Sequence, residues 1–166
     1  MNSTTTAPSP VVAPIAAIFK TNDGLIAKAL DGLSPADLQS PLTSKNNSIL
    51  WLAGHVTETR ASLLRSLGEP ADTGWGKLFS RGAALEEVGR YPSIDEIHSV
   101  SDRIGRQLHA KLDALDDSQL AKPANITLPN TKTIADQIAF FSFHESYHVG
   151  QVAYVRKGLG YSQIAG

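Results

Sequence analysis

A chain of 166 residues with 42% hydrophobic content can bury one core and fits a single domain. Lys and Arg number 15 against 16 Asp and Glu, with no basic run, which argues against nucleic acid as a partner because phosphate binding needs clustered positive charge. Cysteine is absent, so disulfides, thiolate metal sites and a Cys nucleophile are excluded, and any metal must be held by His, Asp or Glu.

Residues 1–9 are rich in Ser, Thr and Pro and read as a flexible tail ahead of one domain, residues 10–166. Val11 to Phe19 is apolar, but Pro14 interrupts it and no Lys or Arg precedes it, which fails the signal-peptide and membrane-span patterns. The chain reads as soluble and cytoplasmic, with no membrane partner.

The first helix is predicted from about Pro10 to Leu30, with Val11, Ile15, Ile18, Phe19, Ile26 and Leu30 on one face. Asn22 and Asp23 break that pattern and read most simply as mobile surface, although a cavity is open to them. Leu33 to Leu38 is a short turn in which Ser34 caps and Pro35 takes the first helical position. Asn47 or Ser48 caps the second long helix, whose apolar side is Ile49, Leu52, Val56, Leu63 and Leu67, and Gly68 stops it.

The connection from Gly68 to Pro92 exceeds a helix hairpin, and its Trp75, Leu78, Phe79 and Tyr91 favour a packed loop. Ser93 and Glu96 form a capping-box pattern for the third long helix, which buries Ile94, Ile97, Ile104 and Leu108 and ends near Leu115. Ile126 to Leu128 reads as an extended segment. The fourth long helix spans about Thr133 to Lys157, with a buried stripe of Ile134, Ile138, Phe141, Val152 and Val155 and an end at Gly158 and Gly160. The class is all-α, a four-helix bundle, an architecture that houses metal sites between facing helices.

The fourth helix carries His144-Glu145-Ser146-Tyr147-His148. Histidines four apart lie one turn above each other and can grip one divalent ion. The string matches H-E-x-x-H, the zinc protease signature, which needs a further ligand downstream. The residues after His148 include no Asp, Glu or His, so a third ligand must come from another helix. His55 sits in the apolar stretch Ser48-Ile-Leu-Trp-Leu-Ala-Gly-His55, where Gly54 allows close approach, whereas His98 and His109 lie among charged residues and read as surface. His55, His144 and His148 would make a three-nitrogen site with open coordination positions, as catalytic zinc sites have.

Around them, Glu145 is read as a general base, a partner for a ligand imidazole, or half of a salt bridge to Arg156 or a neighbouring helix. Tyr147 is a candidate donor to substrate or a packing residue. Glu58, three residues after His55, is the candidate to orient that ring, Gln151 lines the pocket or joins a hydrogen-bond network, and Trp51 is core or a substrate platform.

These features resemble the DinB superfamily, the DinB/YfiT-like metalloenzymes. The resemblance is carried by Asn47-Ser-Ile-Leu-Trp51 leading into His55, the Tyr91-Pro-Ser93 start of the third helix, and Tyr147-His-Val-Gly-Gln151, and it covers nearly the whole chain. It implies an up-down-down-up bundle, often dimeric, with zinc or nickel held by His55, His144 and His148. It also implies chemistry on a small-molecule substrate. Activities assigned in the family include thiol transfer with low-molecular-weight thiols and a thiol-dependent maleylpyruvate isomerisation. The expectation is a homodimeric metal-dependent transferase or hydrolase. The alternatives are a non-catalytic metal-binding or interaction bundle and, on the H-E-x-x-H string alone, a peptidase.

Overall fold

Each long helix is started by a local signal and held by an apolar stripe. The computed structural model describes residues 9–83, 86 and 89–165. Helix α1 is Ala13–Leu30, α2 Pro35–Gln39, α3 Ile49–Ser66, α4 Ile94–Asp113, α5 Asp117–Leu120 and α6 Ile134–Gly158. Ser34, Ser48, Ser93, Asp116 and Thr133 each accept a backbone N–H of the first turn that follows, satisfying donors a helix start leaves unpaired. At the end of α3 the N–H of Glu69 returns to the Leu64 carbonyl with Gly68 at φ 83°, the left-handed turn that Gly adopts without strain.

Helix α1 packs on α4 and α6, and α3 packs on the same two, so α1 and α3 are diagonal in the bundle. Side-chain pairs give the directions. Arg60 meets Glu145 and Ser66 meets Gln137, so α3 and α6 run oppositely, while Asn22 meets Ser146 and Ala29 meets Arg156, so α1 and α6 run together. Arg60 lies against Gly105, and Glu69 just after α3 meets Lys111, so α3 and α4 run together as well. The segment between them packs down: Trp75 and Phe79 are buried, with their rings edge to face at 5.1 Å.

The core falls into a cluster around Trp51, Leu52, Phe79, Ile97 and Val152 and another around Phe19, Leu64, Ile104, Leu108 and Ile138. No helix among the described residues is long and apolar enough to cross a membrane.

Several local expectations are corrected. Residues 10–12 form a turn, and α1 begins where Pro14 can occupy its first turn without a missing hydrogen bond. Residues 1–8 of the expected tail lie outside the described residues, whereas Ser9 is buried and hydrogen-bonds to Asp117. Val11 and Ile18 are exposed, because the buried face of α1 runs through Val12, Ala16, Phe19, Asn22 and Ile26.

Ser93 caps α4, but the Glu96 carboxylate accepts from the Trp75 indole instead of closing the box. Ile126 to Leu128 forms no strand. The pairing there is a single bridge between Pro123 and Thr133, next to the hydrogen bond from Ala124 to the Lys132 carbonyl. Helix α5 went unanticipated, though Asp116 and Gln119 form its capping box.

Candidate metal centre

Two adjacent helices bring the three histidines together. His55 lies in the second turn of α3, and His144 and His148 follow each other one turn apart on α6. One ring nitrogen from each lies within 4.8 Å of the other two, and among the described residues these form the group of three metal-ligating side chains. The His144 and His148 Nε2 atoms are 3.1 Å apart. Nitrogens bound to one tetrahedral zinc at about 2.0–2.1 Å sit roughly 3.3 Å apart, so this pair already has the spacing of two ligands.

The tautomers are set from behind. The Nδ1–H of His55 donates to the Phe79 carbonyl at 2.6 Å, leaving a lone pair on Nε2. The Nδ1–H of His148 donates to the Gln151 Oε1 at 2.7 Å, again freeing Nε2, and the Gln151 amide donates to the Tyr147 hydroxyl oxygen at 3.2 Å. Trp51 stacks flat on His55 with centroids 4.8 Å apart. Carbonyl or amide oxygens behind imidazoles are how proteins fix metal-binding rings.

All three rings are held neutral. Burial lowers the proton affinity of each, most for His144, whose pKa falls to about 4 through desolvation and then the nearby His148, His55 and Arg81 charges. Rings that burial keeps from protonating and whose nitrogens converge fit a cation. The buried His144 Nδ1 and Trp51 Nε1 have no hydrogen-bond partner among the described residues, so the polar groups here are not closed into a protein network. A cavity of about 430 Å³ lies beside Tyr147 and Gln151, lined also by Asn46, Asn47, Leu52 and Tyr154 but by none of the three histidines.

Gly54 is required by the site's roof. A Cβ there would lie 2.4 Å from the Phe79 ring, so glycine lets Phe79 seat and its carbonyl reach His55. That carbonyl had no signature in the sequence beyond the glycine opposite it.

Glu58 does not orient His55. Its carboxylate accepts from Arg65 at 2.7 Å and from Thr73 at 2.6 Å, and the backbone of Phe79 takes the imidazole instead. Glu145 points away from the histidines and is 2% exposed. It receives two hydrogen bonds from Arg60, 2.6 Å from Nε and 2.7 Å from Nη2, while Arg60 also pairs with Asp23. Burial works to lower the Arg60 pKa, but the bonds and charges of Glu145 and Asp23 outweigh it and hold the guanidinium above its ordinary range.

A carboxylate so occupied is no general base, and Arg156 is not its partner. Arg156 instead donates to the Ala29, Asp31 and Ser162 carbonyls. Asp23 is no mobile surface group: besides Arg60 it accepts from His109 Nε2 at 2.7 Å, so His109 is not free surface either. Asn22 is buried and donates to Ser146. His98 is partly buried and, with Asp23 and His109, lines a separate cavity of about 330 Å³ between α1, α3 and α4 that contains none of the three site histidines. Arg60 was not singled out in the sequence, where it reads as one polar residue among several on α3.

With the fold and the histidine cluster in view, the chain belongs to the DinB superfamily, which it matches over residues 19–152. Two solved structures are similar. A conserved protein from Enterococcus faecalis superposes with a TM-score of 0.72 at 13% identity, covering 90% of this chain and 97% of its own. YfiT from Bacillus subtilis, described as a probable metal-dependent hydrolase with an unusual four-helix bundle topology, gives 0.67 at 15% identity, covering 90% and 87%. At such identities the likeness is one of fold. A comparison with curated proteins finds no match.

Proposed function

We propose that this protein is a metal-dependent enzyme acting on a small molecule, and that His55, His144 and His148 hold a divalent ion, zinc or nickel. The observation that carries the reading is the convergence of three neutral imidazole nitrogens within 4.8 Å, with His55 and His148 each turned by a hydrogen bond on the opposite ring nitrogen. A divalent ion held by His55, His144 and His148 would supply Lewis acidity, lowering the pKa of a thiol or water beside it.

The chain's own residues supply the rest. Phe79 and Gln151 hold the rings, and Trp51 and Phe79 wall the site from water. Tyr147 is 57% exposed, and its oxygen accepts from Gln151, which leaves the hydroxyl hydrogen to donate to a substrate. Glu145 takes no part in proton transfer, because Arg60 occupies both of its oxygens.

Within the family, thiol-linked transfer is the reaction we favour, with a low-molecular-weight thiol as co-substrate in the reducing cytoplasm. Hydrolysis is the second reading, favoured by the description of the YfiT structure. Incubation of metal-loaded protein with thiols and electrophiles, beside ester and amide substrates, separates the two. The metal site itself is tested by elemental analysis of untagged protein. We expect about one divalent ion per chain, lost in His55→Ala and His144→Ala with helicity retained. A variant that keeps full metal content overturns the assignment.

We further propose a homodimer. Phe143, Tyr147 and Tyr154 stand 67%, 57% and 70% exposed along one face of α6, and Ile18 is 44% exposed on the adjacent α1. Such an uncharged aromatic face suits a second copy. Light scattering that returns a monomer mass at micromolar concentration would reject it.

A further inference from the structure

The cavity of about 430 Å³ beside Tyr147 and Gln151 has two unlike walls. One is a single face of α6, where Tyr147, Gly150, Gln151 and Tyr154 recur at helical spacing. Between the two exposed phenol rings the helix carries no side chain at Gly150, and a Cβ there would meet nothing within 4 Å. Gly54 makes room for Phe79 and Gly158 for Leu42, but Gly150 makes room for no described side chain. Glycine within a helix is less favourable than alanine, so nothing in the helix itself accounts for this notch.

The other wall is the turn before α3, with Lys45, Asn46 and Asn47. Thr43 fixes it: its hydroxyl donates to Asn46 Oδ1 at 2.6 Å and accepts from the Lys45 N–H at 3.2 Å. With its oxygen taken, Asn46 has its amide hydrogens left to donate. Lys45 is exposed and enters no ion pair among the described residues, and no carboxylate lines the cavity. Leu52 and Val155, both buried, add apolar surface.

A positive, donor-rich edge thus meets an aromatic slot. We propose that this cavity binds a planar organic anion, its ring system over Gly150 between Tyr147 and Tyr154 and its anionic group at Lys45 and Asn46. Aromatic rings stack on phenol faces, and a carboxylate or similar oxyanion takes the ammonium and amide donors. The site does not depend on the metal-site reading, because none of the three histidines lines the cavity. Gln151, which lines it and is bonded to His148, is the link between the two.

The test titrates the full-length protein by calorimetry with 2-naphthoate and with its neutral counterpart 2-naphthalenemethanol, before and after treatment with a chelator. Tyr147 and Tyr154 are shared with the face assigned above to a second copy, so all samples are compared at one mass by light scattering. We expect one naphthoate per chain, bound about fivefold more tightly than the alcohol and unaffected by the chelator. Lys45→Gln should remove that preference and leave the alcohol's affinity unchanged. Gly150→Leu fills the notch while favouring the helix, and should weaken both compounds about tenfold or more. No saturable binding in the wild type, or a preference that Lys45→Gln leaves intact, overturns the proposal. So does full binding in Gly150→Leu, which places the compound elsewhere. Binding lost with the chelator places the anion on a metal ion, which overturns the cavity site and leaves the metal-site reading standing.

Discussion

Residues 144 and 145 are neighbours on one helix, yet they belong to two polar clusters of opposite character. Glu145 enters a balanced network in which Arg60 bridges Glu145 and Asp23, and Asp23 in turn accepts from His109. His144 enters a group whose nitrogens face one another, with its Nδ1 unpartnered among the described residues. Charges that satisfy one another inside a bundle fix how helices meet, whereas imidazole nitrogens that converge on one another offer ligand atoms to a cation. In this H-E-x-x-H string, the glutamate is thus tied into an ion-pair network and the two histidines are left to face His55.

The sharpest way to break this contrast is Glu145→Gln. The substitution leaves Arg60 buried with only the partly exposed Asp23 as a charged partner, and breaking a buried pair costs about 3–5 kcal/mol. We expect chemical denaturation to show a loss of that order with metal content still near one ion per chain. Preserved stability with lost metal would reverse the roles of the two clusters.

Gln151→Ala should do the opposite. It removes the acceptor behind His148, weakening metal affinity about 10–100-fold in competition with a chelator dye while the metal-free stability barely moves. An unchanged affinity would show that the ring needs no support from Gln151.

The smallest effect is a dependence on pH. In the metal-free protein all three imidazoles titrate below the ordinary 6.5, His144 near 4, so as pH falls protons bind the unfolded chain first. The stability is then fully present above about pH 6.5 and is lost progressively toward pH 4. Denaturation midpoints in chelator at about pH 7.5 and about pH 5 should fall, and less steeply in His144→Ala. Equal slopes would mean that burial does not bear on His144 as described.

Much of the bundle was legible because it is local. Ser48, Ser93 and Thr133 cap helices in their own first turns, and the stripe from Ile134 to Val155 repeats at helical spacing. The 144/148 pair was legible for the same reason. Glu58 misled because sequence proximity to His55 ignores competitors. Arg65 lies two turns on and Thr73 in the following loop, and they claim the carboxylate, while the distant Phe79 carbonyl reaches His55. Asn22 and Asp23 misled in the reverse sense, since a break in an apolar pattern looks like surface until the helix across the interface offers Ser146 or Arg60.

By itself, then, the sequence determined the helices, their ends and the one-turn spacing of two histidines, because caps and periodicity act within a few residues of chain. The tertiary structure alone decided that the Phe79 carbonyl backs His55 and that Glu145 belongs to Arg60. Those outcomes depend on which helix faces meet and which donor reaches a buried acceptor first, and no local pattern encodes either.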